Sequence, residues 1–463
     1  MTTSRRFPWL GVLALIVALV GFATTRSTPS NPTALPSGLA TSINAESTAL
    51  YCTGLTSTAA GRVSYFNTAD VARSVSVSVV SSSGRTWSGT LELAAHGGQI
   101  VEPRVVDPPL KSRAKSGKVT TASVTYATAA QISGGGVVAD EIEGNASVPC
   151  DSQGVTRWYA AGLDTLVGSD AYVSLYNPTA TEAVANISVL EANGFYAPES
   201  IQGISVPAHA QELIDLGRSV VNNPNVGVDV KVVRGSLAVV GEQDSTGVLS
   251  FDAGVISPST VSWFPAVTTV TGATAQIRVT NPNDVRVNVS ASVALAKFTI
   301  SPQSVSLPPY SSGVITITPN SAIPAAGYAS VIVRSSSPVV AGLATGTGQW
   351  IVVSSPEAPA GADVVRDYSG AGFDVAEVTN TSAHAITVSV TTYASAPGTK
   401  DVTTKGTRVA ADATVTLASL VGAAIPTPAD SYLVAASSPS ALVTVTLPSR
   451  PAGLYLQTPL DGR

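Results

Sequence analysis

One short phrase recurs four times along the chain, and its spacing limits what the chain can build. An apolar run ends on Asn, Thr or Pro follows, a few polar residues intervene, and an alternating apolar run begins. The four copies are YFNTADVARSVSVSVV from Tyr65, YNPTATEAVANISVL from Tyr176, TNPNDVRVNVSASVAL from Thr280 and TNTSAHAITVSVTTY from Thr379. Their asparagines, Asn67, Asn177, Asn281 and Asn380, recur at intervals of about 100 residues. Period-2 alternation on either side of turn residues predicts paired β-strands with one buried face. A fixed period predicts a stacked array of like units.

Two further landmarks keep the same order. Some thirty residues after each Asn comes a turn at His96, His209, Tyr310 or Asp412. A third segment follows, VDVKVVRGSLAVVGEQ in the second block and ASVIVRSSSPVVAGLA in the third, which predicts a hairpin. About seven short strands in 100 residues fit an immunoglobulin-like β-sandwich, with a barrel as the alternative. The expectation is all-β: tandem sandwich modules over 49–153, 154–259, 260–357 and 358–463. The composition agrees, because Val, Thr, Ala, Ser and Gly dominate and the initiator is the single Met. Branched side chains suit a pleated surface, and Ser and Gly suit turns.

Ahead of the modules, residues 1–6 carry Arg5 and Arg6, and Phe7 to Ala23 form an uncharged apolar run. At 1.5 Å per helical residue that run would reach roughly 25 Å. Residues 7–25 are therefore expected to anchor the chain in a membrane, with the arginines on the cytoplasmic side; a cleaved signal peptide is the alternative. Residues 26–48, rich in Pro, Ser and Thr, read as a linker. Everything beyond would be extracytoplasmic, either on a single-pass membrane protein or secreted. Two cysteines, Cys52 and Cys150, bracket the first module and are expected to pair, since disulfides persist there. A net charge of −5 without basic blocks argues against nucleic acid as a partner.

Residues capable of chemistry are few. His96, His209 and His384 are the only histidines, and HExxH, paired CxxC and GxSxG are absent. His96 and His209 fall at the same turn in two repeats, where a third has Tyr310, so a tolerant turn position explains them. No catalytic residue, metal ligand or cofactor is expected. Asp140, Glu141 and Glu143, echoed by Glu242 and Asp244, lie along strands and read as a solvated face in preference to a calcium loop. Trp87 and the pairs Trp158-Tyr159 and Trp263-Phe264 read as core anchors in preference to sugar-stacking platforms. Asn145, Asn186, Asn288 and Asn380 match the Asn-x-Ser pattern, to which no function is attached. The segment Pro103 to Lys118 breaks the repeat with five basic residues, Arg104, Lys111, Arg113, Lys115 and Lys118. Such a cluster is a candidate site for an anionic wall polymer or lipid headgroups.

Through RWYAAG, LYNPTATEAV, SVPAHAQELIDL and VSWFPAV, the chain resembles an uncharacterised family of actinobacterial envelope proteins with an N-terminal anchor, a Pro/Ser/Thr spacer and tandem β-rich repeats. Asn67-Thr68 and Asn380-Thr381 depart from its Asn-Pro turn. The resemblance implies location and architecture without an activity. The expected function is a non-enzymatic, membrane-anchored structural or protein-interaction scaffold of the cell envelope; the alternative is a module binding wall glycan or anionic envelope polymer.

Overall fold

The computed structural model describes residues 47–459 except 57–60, 107–110, 114–118, 122–123, 144–145, 269–272, 295–302, 318–327, 348–349, 355–361, 368–376, 381, 383, 395–401, 412, 417–419, 421–428, 437–442 and 447–454. The expected n-region and anchor, and nearly all of the linker, lie outside the described residues. Among those described, no helix is long and apolar enough to cross a membrane.

The described chain is all-β, built as successive pairs of antiparallel sheets. The first pair uses β1 (Ala49–Thr56), β2 (Arg62–Asn67), β3 (Arg73–Ser81), β4 (Thr86–Leu93) and β5 (Gly98–Val101). After a small hairpin of β6 (Lys111–Arg113) and β7 (Val119–Thr121) come β8 (Thr125–Ile132), β9 (Val137–Glu143) and β10 (Ala146–Pro149). The sheets run β1-β8-β3-β4 and β10-β9-β2-β5. Alternation in β3 turns Val75, Val77 and Val79 onto Val63 and Tyr65 of the facing sheet. The Cys52–Cys150 disulfide forms, tying β1 in one sheet to the residue following β10 in the other. Closing a loop of this length contributes about 4–5 kcal/mol in the chain-entropy account.

The second pair comprises β11 (Arg157–Leu163), β12 (Ser169–Tyr176), β13 (Ala183–Glu191), β14 (Gly194–Tyr196), β15 (Ile204–Val206), β16 (Gln211–Asp215), β17 (Val226–Arg234), β18 (Ala238–Ser245) and β19 (Val248–Asp252). One sheet runs β11-β17-β13-β14, with β15 also on β13; the other runs β16-β12-β18-β19. The third pair has β20 (Ser259–Thr268), β21 (Ala273–Asn281), β22 (Val287–Ala294), β23 (Gln303–Leu307), β24 (Ser311–Ile317), β25 (Tyr328–Thr347) and β26 (Trp350–Ser354). Strands between Ala362 and Pro459 form a fourth pair of sheets.

The expected hairpin is not one. β17 and β18 pair with different neighbours in opposite sheets, as do β8 and β9. The chain rolls from one sheet to the other, and the buried positions record the roll. They fall on even numbers at Val226, Val228, Val230 and Val232, then on odd numbers at Leu237 and Val239. Gly235, with φ of 78°, supplies the left-handed corner between them. In the third module Val331, Val333, Val339, Ala341 and Leu343 keep one phase. There the chain continues as a single 20-residue strand, β25, serving both layers.

Candidate functional site at the module junctions

Each recurring Asn is fully buried and clamps two turns at once. The Asn177 Nδ2 donates to the carbonyls of Thr181, Val206 and Pro207 at 2.7, 2.9 and 3.1 Å, while its Oδ1 accepts from the Thr179 N–H at 2.9 Å. Asn67 binds Val71, Leu93 and Ala94 in the same way, Asn281 binds Val285 and Pro308, and Asn380 binds His384, Val409 and Ala410. The backbone N–H of Asn67, Asn177 and Asn380 also bonds back to the second turn, at Gly97, Ala210 and Ala413. That turn holds His96, His209 and Tyr310 at φ of 53, 54 and 51°, the same left-handed conformation in three repeats. His96 Nε2 lies 3.1 Å from Asp70 Oδ1, and His209 and His384 are exposed in other modules, so the three histidines do not converge. Among the described residues, no group of three or more His, Cys, Asp or Glu is arranged to hold a metal.

The aromatic pairs divide their work between core and junction. Trp158 is buried in the second core, its indole N–H donating to the Ala253 carbonyl at 2.8 Å, whereas Tyr159 faces outward to Val340 of the next module. In the third module the parity reverses: Phe264 enters the core and Trp263 packs on the outer face with Ala294 and Ile332. Trp87 leans on the first core. Reading all of these as core anchors is therefore half correct, because a strand alternates and one member of each adjacent pair must leave the core.

Of the basic cluster, Arg104 is exposed on the short helix Pro103–Val106, and Lys111 and Arg113 sit on β6 opposite Thr121 and Val119. Lys115 and Lys118 lie outside the described residues.

Sequence reasoning missed the place where polar side chains do converge. The outer faces of β12, β18 and β19 pack on β1 and β10 of the preceding module. Tyr51 and Tyr176 meet with ring centroids 6.2 Å apart, and Val148 and Ala146 cover Val240 and Phe251. Burial raises the Tyr176 hydroxyl to about 12, with Tyr51 adding to the shift. Thr53 and Ser174 hydroxyls bond across the seam at 2.7 Å, and Gln211 Nε2 donates to them at 3.3 and 2.9 Å. The Val239 N–H reaches Asp151 Oδ2 at 3.3 Å. A crevice of about 10 Å³, room for one water, opens between Thr53, Glu141, Asp151, Val240 and Ala253.

The acidic residues are here, and the solvated-face expectation is overturned: Glu141, Glu143 and Glu242 are only 1, 2 and 2% exposed. Glu141 and Glu143 share the inward face of β9 with the core residues Val137 and Ala139, whereas Glu242 lies on an outer face that the preceding module covers. The echo between the two strands is also out of step. Glu141 pairs opposite Val63 in β2, but Gly241, one residue before Glu242, occupies the corresponding place opposite Val173 in β12. Glu141 thus comes from within the first sandwich and Glu242 from the outer face of the second.

The next junction repeats the architecture with different chemistry. Gly54 and Gly162 each sit within a register shift in the first strand of their module, with φ of 126 and 112°. At Gly162 the visitor is Arg278 of the third module, 2% exposed, which donates to the Gly162 carbonyl and lies 3.7 Å from Asp164. Burial lowers the guanidinium's pKa, and Asp164 opposes that shift. Asn225 and Ser312 add bonds across the same seam, Asn225 Nδ2 to the Gly313 carbonyl and Ser312 Oγ to the Asn225 carbonyl, both 3.2 Å. Between the third and fourth modules Ser330 meets Thr379 at 3.1 Å. The signal for these seams was the shared Thr-Gly-Leu and Ala-Gly-Leu at Gly54 and Gly162.

Comparison with known proteins gives a family and no activity. No curated protein matches the chain. Among solved structures, a tetra-tandem repeat from the extending region of a large adhesion protein is 14% identical, covers 84% of this chain and 94% of its own, and has a TM-score of 0.14. Chicken CNTN1 FN1–FN3 domains are 11% identical over 65% of this chain and 100% of theirs, with a TM-score of 0.10. Residues 109–419, from the second half of the first module to a little past the middle of the fourth, match one family model, and the chain belongs to that family of unknown function, DUF5719.

Proposed function

We propose that the protein is a non-enzymatic, extracytoplasmic scaffold of the cell envelope, held to the membrane by residues 7–25 and using its sandwich modules for structure or protein interaction. The observation that carries this reading is the construction of the junctions. Consecutive modules meet through buried side chains such as Tyr176, Arg278 and Thr379, placed at equivalent strands of successive repeats. A chain that invests its buried polar groups in fixing one module upon the next is built to hold surfaces in register. Fractionation of cells producing the full chain, followed by protease treatment of intact cells, tests location. The chain should sediment with membranes and be clipped from outside; recovery in the soluble cytoplasmic fraction overturns the reading. Turnover in a broad hydrolase screen would overturn its non-enzymatic part.

A second reading, binding of wall glycan or anionic envelope polymer, is favoured by one observation: exposed Arg104 precedes a paired hairpin that carries Lys111 and Arg113. Co-sedimentation with purified wall material should fall with added salt and on changing the five basic residues to Ser. Equal binding by the variant rules that site out.

A further inference from the structure

We propose that the junction between the first two modules is an acid-closed latch, in which Glu141 of one module and Glu242 of the next share the space vacated at Gly54, hold while protonated, and loosen when both ionise. The inference needs only this junction and stands apart from any role in the envelope.

The geometry begins with a bulge. β1 shifts register between Thr53 and Leu55, and Gly54 adopts φ of 126°, which side-chain-bearing residues rarely take. The space a Cβ would fill is occupied from both sides. The point where that Cβ would sit lies 2.8 Å from Glu242 Oε1 and 3.0 Å from Glu141 Oε1, with Val240 Cγ1 at 2.9 Å. Neither Oε1 has a hydrogen-bond partner, and both residues are almost wholly removed from solvent. Two orphan acceptors thus face one small gap, a costly arrangement for two carboxylates. A proton on either group removes one charge and supplies an O–H donor that neither orphan oxygen otherwise has.

The surroundings favour the protonated state. Burial dominates and raises both carboxyls well above their ordinary value of 4.5. For Glu141, Glu143 and Asp151 push further up while the Thr53 backbone N–H pulls down; for Glu242, Glu141 and Glu143 push up. On the packed strands, Asp140 lies on β9, Tyr65 on β2 lies close enough to feel the Glu141 charge, Tyr172 pairs opposite Glu242, and Asp252 lies on β19. Arg62, opposite Ile142 on β2, is the cation nearest in register, and it is not among the groups that shift either carboxyl. The remaining wall, Val148, Val240 and Ala253, is apolar. The seam between the second and third modules instead pairs an arginine with an aspartate.

Linkage fixes the direction. Undocking returns Glu242 to water, where its carboxyl titrates near its ordinary value, and docking raises it. Docking is therefore strongest below the ordinary value and weakens as pH rises through the interval up to the raised one. Where opening releases one proton, the opening constant rises tenfold per pH unit.

Hydrogen exchange of the full chain between pH 5 and 9, corrected for intrinsic rates, reads this directly. The Val239 amide, which bonds Asp151 across the first seam, should show an opening constant that climbs up to tenfold per unit over part of the range. Ile277 and Val279 beside the second seam should stay flat. Glu141→Gln and Glu242→Gln should each reduce the slope and the double variant abolish it, with protection at pH 8 raised above wild type. Equal, flat profiles at both seams in the wild-type protein overturn the latch, whether or not the variants fold. So does a slope that survives in the double variant.

Discussion

The first and second junctions are the same joint filled with opposite charges. In each, a glycine at positive φ opens the first strand of one module, and a long side chain from the following module enters beside it. At Gly162 the entrant, Arg278, meets a carbonyl and an acid. At Gly54 the entrant, Glu242, meets another carboxyl and no donor. The backbone framework thus sets where two modules touch, while one side chain sets whether the touch depends on protons. Repetition conserves the socket, and the plug is free to differ.

The largest way to break the comparison is to remove the second plug. Arg278→Met leaves Asp164, wholly buried, without its cation. Such an uncompensated charge costs about 3–5 kcal/mol, read as a lowered denaturation midpoint of the full chain. Adding Asp164→Asn should recover much of that loss, because an apolar or neutral replacement of the whole pair is close to balanced. If the double variant is no more stable than Arg278→Met, the ion pair is not what holds this seam.

Much of the fold was legible because its signals are local. The repeat of Asn67, Asn177, Asn281 and Asn380 announced strand, turn and strand, and the shared place of His96, His209 and Tyr310 announced one turn, now seen as left-handed in all three. Cys52 and Cys150 lay where a disulfide could lock the first module, and it does. Even the roll between β17 and β18 was written in the phase shift from Val232 to Leu237, though a run of strand, glycine and strand resembles a hairpin until phase is counted. What stayed hidden was long-range. Alternation shows that Glu141 and Glu242 are polar positions on strands, but it cannot show that the first lies inside its own sandwich and that the second is covered by another module. Nor does it separate Tyr159 from Trp158, since which of two adjacent aromatics faces the core depends on register.

A second set of variants serves as a control that should strike both sides of the comparison alike. Asn177→Ala and Asn281→Ala remove a buried clamp inside a module, leaving carbonyls such as those of Val206 and Pro308 without their side-chain donor. Each should cost about 3 kcal/mol, from buried groups that lose partners at 1–3 kcal/mol apiece. Equal losses, with the junction exchange profiles unchanged, would locate the clamp's effect within the module. A loss confined to one of the two would show that its neighbours at the seam contribute.

The smallest effect sharpens the comparison most, because it asks what each glycine leaves room for. Gly54→Ala and Gly162→Ala share the strain of a methyl group at positive φ, about 1–2 kcal/mol. They differ in what the methyl meets. At Gly162 the nearest atoms are Cδ and Cβ of Arg278, 3.3 and 3.4 Å away, which a small shift of a flexible stem relieves. At Gly54 three atoms lie within 3.0 Å, two of them carboxyl oxygens already confined by burial. Gly54→Ala should therefore be the more destabilising of the two, by about 1 kcal/mol. Its excess should shrink when Glu242→Ala is added, since shortening that side chain vacates the space the methyl needs. Thermal denaturation of these three variants at pH 5, with Glu242→Ala alone as the reference for the double, isolates this steric difference, as both carboxyls are then closest to neutral. Equal costs for the two glycines would mean the carboxyls can withdraw from Gly54, and that the gap they share is wider than the two joints' common architecture suggests.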